Sequence, residues 1–237
     1  AMTERRHHHQ AAAYGGEGWS PRTTRLVDEI GDIWSACGQN SEYAPLKRVL
    51  LHPPFGDGLS ELADPNQLQL LAPVDTRLAA KQHTQMAKAY AGADVTVEWI
   101  EPHRTPVPFN LMFAADLFFM TPEGAILARP ASVVRAGEER ETAACLGRLG
   151  IPIVRSVSGG GTFEGADAMW LDPKTVIVGR GLRTNTEGIR QVSAVLAEMG
   201  VETLVVDLPH GTMHLMGMLR IVDRDLAVAW PKRLAHY

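Results

Sequence analysis

Apolar and polar positions alternate in a unit that recurs along the chain. Leu117-Phe118-Phe119-Met120 is followed by Thr121-Pro122-Glu123-Gly124 and then by Ala125-Ile126-Leu127-Ala128. The same order returns in Met169-Trp170-Leu171, Asp172-Pro173-Lys174 and Thr175-Val176-Ile177-Val178. It returns again in Leu219-Arg220-Ile221-Val222, Asp223-Arg224-Asp225 and Leu226-Ala227-Val228-Ala229. Each unit reads as two short strands joined by a turn, because Pro, Gly and Asp supply the backbone angles that turns need.

Helical stretches follow the early units. The spacing predicts helices over Thr76–Ala91, Glu138–Leu149 and Thr186–Met199, the last with Ile189, Val192, Leu196 and Met199 on one face. Glycines stand as stops at positions 92, 150 and 200. A further apolar strand follows each, beginning near Val95, Ile151 and Val201. The predicted fold class is therefore α/β, built from strand–turn–strand–helix–strand modules near 46–100, 111–156 and 164–208. One module cannot bury its own apolar faces, so neighbours must stack. A fourth opens near residue 214 with only its strand–turn–strand, which gives about three and a half modules by the logic of repeat arrays. A short cap would explain the half unit. The reading preferred here is an incomplete domain over 21–237, with the remainder in a longer protein or in a partner such as a homodimer mate.

Composition narrows the function without naming it. The 237 residues carry a net charge of −4, and 45% are hydrophobic. Nothing in that balance attracts nucleic acid or an anionic membrane. No apolar run is long enough for a membrane-spanning helix. The only cysteines, Cys37 and Cys145, form neither a disulfide framework nor a zinc pattern, so a reducing cytoplasm is expected. Residues 1–20 read as a disordered, solvated tail, and the His7-His8-His9 triplet within it as tail and not as a metal site. No metal and no cofactor are expected.

Polar residues gather where modules begin, the place where a radial repeat collects loops around a shared centre. Phe109-Asn110-Leu111-Met112-Phe113-Ala114-Ala115-Asp116 sets a carboxylate between apolar stretches, costly unless paired. Ser158-Gly159-Gly160-Gly161-Thr162-Phe163-Glu164-Gly165-Ala166-Asp167 holds two carboxylates that suit a cationic ligand or serve as loop hydrogen-bonders. Its glycines allow close ligand approach, but no P-loop lysine follows. In Gly179-Arg180-Gly181-Leu182-Arg183-Thr184-Asn185-Thr186, Arg183 has the fork that clamps a carboxylate. Thr184 or Thr186 is the expected helix cap there, helped by Asn185. In His210-Gly211-Thr212-Met213-His214-Leu215-Met216-Gly217, His214 opens a module as Asp116 and Glu164 open theirs.

These four clusters, in this order, resemble the guanidino-group-modifying superfamily of dimethylarginine dimethylaminohydrolases, arginine deiminases and amidinotransferases. The resemblance begins at Ser41-Glu42-Tyr43-Ala44-Pro45-Leu46-Lys47-Arg48-Val49-Leu50-Leu51, which is similar to the family's opening strand, and runs to Tyr237. It implies the pentein fold, a five-module α/β-propeller, and a cysteine thiolate that attacks the guanidinium carbon while a histidine moves protons. By motif, Asp116 is similar to the residue that holds the guanidinium. Glu164 and Asp167 are similar to the family's acidic pair, and His214 to its catalytic histidine. Arg183 resembles the arginine that binds the substrate carboxylate. The resemblance also makes Arg135 a candidate for a second carboxylate contact, and Asn110 matches the asparagine before the Asp motif in deiminases.

The departures choose among branches. Ala115 stands where deiminases and amidinotransferases carry Arg, and Met216 where they carry Asp. Dimethylarginine hydrolases tolerate both. Ala166 replaces a usual glycine. Neither cysteine matches the family nucleophile: Cys37 precedes the first module and Cys145 sits in an amphipathic helix, where packing is its expected role. The expectation is a hydrolase of arginine or a substituted arginine whose nucleophile lies outside this chain. An amidinotransferase of the same fold and an inactive guanidino-binding protein are the alternatives.

Overall fold

The computed structural model describes residues 11–54, 64–103 and 107–233. The leading histidine triplet and the start of the expected tail lie outside the described residues, and Ala12–Tyr14 form a short 3-10 turn. A four-residue helix, α1 (Leu26–Glu29), precedes the first module. That module contains β1 (Arg48–Leu51), α2 (Thr76–Gly92) and β2 (Thr96–Trp99), and its two strands pair in parallel. The second contains β3 (Phe118–Thr121), β4 (Gly124–Leu127), α3 (Glu138–Arg148) and β5 (Ile153–Ser156). The third contains β6 (Ala168–Asp172), β7 (Thr175–Arg180), α4 (Thr186–Glu198) and β8 (Glu202–Asp207). A final hairpin pairs β9 (Leu219–Asp223) with β10 (Leu226–Ala229).

Modules two and three share one design. A tight antiparallel hairpin is extended by a parallel strand, in the orders β3-β4-β5 and β6-β7-β8, with the helix as the crossover. The first module differs from the sequence expectation. Among the described residues it has one strand before its helix, where the repeat predicts two. The opening strand also starts later than expected, at Arg48. Ser41 Oγ accepts from the amides of Tyr43 and Ala44, which turns the chain, and Pro45 has no amide to give a ladder.

The helix ends explain two further differences. Gly150 and Gly200 take the left-handed conformation expected of stops, with φ of +68° and +73°. Gly92 does not: it is the last residue of α2, and Asp94 bends the chain instead at φ +58°. The cap of α4 is Asn185, whose side chain accepts from the amide of Gly188. The Thr184 hydroxyl is engaged elsewhere, as shown below.

The core lies between modules two and three. Phe119 and Ile126 of one meet Trp170, Val176 and Val178 of the other, with Val192 and Leu196 of α4 closing the cluster. Phe119 and Trp170 stack at 5.6 Å. Cys145 is buried against Leu111 and Leu117, in the packing role expected of it. α2, by contrast, buries no residue fully.

Candidate active site

Three 3-10 turns, each immediately before a hairpin, carry the polar centre: Ala114–Asp116, Gly165–Asp167 and Leu215–Gly217. They pack against one another in series. Their alignment revises the equivalence read from the sequence. Glu164 and His214 both occupy the residue before the turn. Asp116 matches Asp167, since each closes its turn. Phe113 holds the Glu164 position in the first turn.

The turns bring Asp116, Glu164 and His214 together, with one donor atom of each within 4.8 Å of the others. His214 Nε2 lies 2.6 Å from Glu164 Oε2 and 3.9 Å from Asp116 Oδ1. Glu164 is fully buried and accepts from the Ala131 amide at 3.1 Å and from Arg183 Nη1 at 3.4 Å. Arg135 crosses the same space. Its Nη1 is 2.5 Å from Asp116 Oδ2 and 3.6 Å from Glu164 Oε2, and its Nη2 is 2.7 Å from Glu138 Oε2. Asp167 stands behind this layer. It accepts from Thr184 Oγ1 at 2.6 Å and from the Leu215 amide at 3.0 Å, which ties the third module to the last of the three turns.

Burial and charge pull these groups in opposite directions. Burial alone would lower His214, but its bond to Glu164 and the charges of Asp116, Asp167 and Glu164 raise it above the usual imidazole value. Burial alone would raise Glu164, but His214, Arg183 and Arg135 hold it below the usual carboxylate value. Asp167 is pushed up to about 6 by burial, against its bonds from Thr184 and Leu215. Glu138 is pushed up to about 7 by burial, against the pull of Arg135. These shifts favour an imidazolium held by a carboxylate, a form that can give and retake a proton.

A cavity of about 380 Å³ opens onto this layer, within the range of small-molecule sites. Asn110, Asp116, Arg135, Arg183 and His214 border it, and Phe113, Met213, Met216 and Met218 form an apolar wall. Glu164 and Asp167 do not border it; they act from behind. Asn110 donates from Nδ2 to the Leu68 carbonyl at 3.2 Å. The glycine run at 159–161 is not part of the wall either. Gly161 gives its carbonyl to Arg129, and a side-chain atom at Gly160 would meet nothing within 4 Å.

A model of the arginine deiminase family matches residues 81–236. The chain belongs to that family. Within the wider group, N(G),N(G)-dimethylarginine dimethylaminohydrolase of Pseudomonas aeruginosa is 30% identical over 156 residues, which is 65% of this chain and 59% of that protein. The chain spans 59% of the length of each curated relative it matches. A structure of the P. aeruginosa enzyme as a Cys-to-Ser mutant with citrulline superposes with a TM-score of 0.64 at 26% identity, covering 78% of this chain and 69% of that one. An amidinotransferase of Microseira wollei shares the fold alone, with a TM-score of 0.57 at 16% identity over 77% and 66% of the two chains.

Two site features of this arginine deiminase family chain escape a sequence reading. Glu138 is fully buried beside Arg135, and its only signal is the Arg135-to-Glu138 spacing at a helix start. Thr184, one of the two threonines expected to cap α4, spends its hydroxyl on Asp167 and on the Glu164 amide, which donates to it at 3.2 Å. The Asp116–Glu164–His214 triad has the donors for a divalent ion, but the Arg135 guanidinium already lies against both carboxylates and its charge opposes a second cation.

Proposed function

We propose that the chain binds the guanidino group of arginine or an N-methylated arginine, and contributes all but the nucleophile to its hydrolysis. The observation that carries this is the His214–Glu164 dyad beside Asp116 on one cavity wall, with Arg183 on the same cavity. Asp116 would hold the ligand's guanidinium, and Arg183 and Arg135 would meet its carboxylate. The apolar wall of Phe113 and the three methionines suits N-methyl groups on a delocalised cation, which favours the methylated ligand. The same reading sets these modules in a ring of five around the site.

In this reading a thiolate attacks the guanidinium carbon, and the C–N bond to the leaving amine breaks as His214 donates its proton to that nitrogen. His214 then takes a proton from water, which attacks the same carbon. The C–S bond breaks, releasing the thiolate and a ureido product. Glu164 holds the His214 ring in both its charged and its neutral form. Neither cysteine borders the cavity, and burial pushes both thiols upward, away from the thiolate form. A protein that binds guanidino ligands without turning them over is the second reading.

Calorimetry with dimethylarginine, arginine and lysine tests the binding claim. The guanidino ligands are expected to bind and lysine to bind at least about tenfold more weakly, a charged-hydrogen-bond difference. Equal binding of lysine would overturn it. Product analysis of the full-length gene product, with an added amine acceptor, separates the chemistries. Citrulline alone supports hydrolysis, an amidino-acceptor product supports transfer, and binding without either supports the second reading.

The charge balance adds a pH dependence. Asp167 near 6 and Glu138 near 7 are raised, so the empty fold holds their protons more tightly than the unfolded chain does. Stability of the empty protein is therefore expected to fall as pH rises from about 4 to about 7. A bound guanidinium favours their ionised forms and the neutral form of His214. The rise in melting temperature with saturating arginine is expected to be larger at about pH 7.5 than at about pH 5. Thermal shifts that are equal or smaller at the higher pH would count against it.

A further inference from the structure

Arg135 is placed where a ligand's guanidinium would go. Its Nη1 lies on Asp116 at 2.5 Å, closer than any other group in the network. The side chain is almost wholly buried, yet it borders the cavity. The contact on its other side is incomplete. Nε and Nη2 converge on one oxygen of Glu138, Oε2, at 2.9 and 2.7 Å. Glu138 Oε1 is buried and accepts no hydrogen bond among the described residues. A guanidinium and a carboxylate normally meet as two parallel bonds, one to each oxygen. The remaining holds on Nη2 are long, 3.4 Å to the Asn110 carbonyl and 3.3 Å to that of Phe113.

The geometry points to Glu138 as a positioning residue that anchors Arg135 in two places: across Asp116 when the site is empty, and turned towards the ligand's carboxylate when a guanidinium displaces it. The turn moves Nη2 from the shared Oε2 to the unused Oε1, so the pair becomes a two-oxygen fork as Nη1 leaves Asp116. The chain thus carries an internal stand-in for its ligand, released by the ligand itself. Arg135 compensates the buried charge of Asp116 and Glu164 in the empty site, where carboxylates this close would otherwise repel. A ligand with a carboxylate regains the bond that Nη1 gives up. A ligand without one only competes with Arg135 for Asp116. Glu138 would therefore set a preference for guanidino acids over plain guanidino amines.

This inference rests on the guanidino reading above and is tested separately from it. Arginine and agmatine, which is arginine without its carboxylate, are titrated calorimetrically into the whole chain and into Glu138→Gln and Glu138→Asp. The wild-type chain is expected to favour arginine. Glu138→Gln is expected to shrink the arginine-to-agmatine ratio by about tenfold, the worth of one charge-assisted bond. Glu138→Asp keeps the charge but shortens the reach, and is expected to fall between. A merely structural glutamate would weaken both ligands alike, so an unchanged ratio in a folded variant overturns the proposal while leaving the guanidino reading intact. If Glu138→Gln does not fold, Glu138→Asp decides by the same ratio. Wild-type protein that binds neither ligand would overturn the guanidino reading and this inference with it.

Discussion

Glu164→Ala is expected to lower the free energy of unfolding by about 3–5 kcal/mol, the range for breaking a buried ion pair from one side. Glu164 is the anion shared by His214 at 2.6 Å, Arg183 at 3.4 Å and Arg135 at 3.6 Å, and it also accepts the Ala131 amide. No part of it reaches solvent. Removing it takes the carboxylate from His214 and Arg183, while Arg135 keeps Asp116 and Glu138. Glu164→Gln keeps an acceptor for Ala131 and removes only the charge, so a smaller loss is expected. Both changes also withdraw what holds His214 in its charged form, so its titration should move downward. Urea denaturation checks the stability and proton NMR the imidazole. A loss under about 1 kcal/mol for Glu164→Ala would show that the network relaxes or takes in water, contrary to the burial described.

Gly165→Ala is expected to cost about 3 kcal/mol or more, at the upper end for overpacking, and to abolish ligand binding. A Cβ built at Gly165 would lie 2.2 Å from the Phe118 carbonyl oxygen and 2.6 Å from that of Ala115. Both obstacles are backbone, so no rotamer change relieves them. The residue has no positive φ, so the penalty is steric and not conformational. The displaced segments would be the turns that end at Asp116 and begin after Glu164, and the site would open between its halves. Gly160→Ala is the control. It meets nothing within 4 Å and has an ordinary φ, so a change within about 0.5 kcal/mol is expected, as for most surface positions. Similar losses in the two variants would remove close packing of the turns as the explanation.

The repeated α/β design was legible because each module is a local object. Its hairpin turns are marked by Pro and Asp, and its helices by a 3.6-residue apolar period. The first module was legible only in part, since among the described residues it carries one strand before α2 where the repeat would demand two. The site residues Asp116, Glu164 and His214 could be picked by their position ahead of hairpins. Their mutual alignment could not, because one carboxylate precedes its turn and another closes it. Glu138 and Thr184 stayed hidden for a related reason. An acidic residue at a helix start and a threonine before a cap asparagine have ordinary local roles, and only the stacking of neighbours gives them others. Arg135 read as an open hand for a ligand and was found already holding two carboxylates.

The series of turns also orders the assembly of the molecule in time. Each three-stranded sheet joins residues close in sequence, so β3-β4-β5 and β6-β7-β8 can form early with little loop-closure cost. The bonds that tie the third module to the last turn span greater distances along the chain: Glu164 to His214 and Asp167 to Leu215. They close only when finished sheets dock. The polar centre is therefore expected to form after the sheets that carry it, and amide exchange at Glu164 and Leu215 should outpace that in the middle of β7.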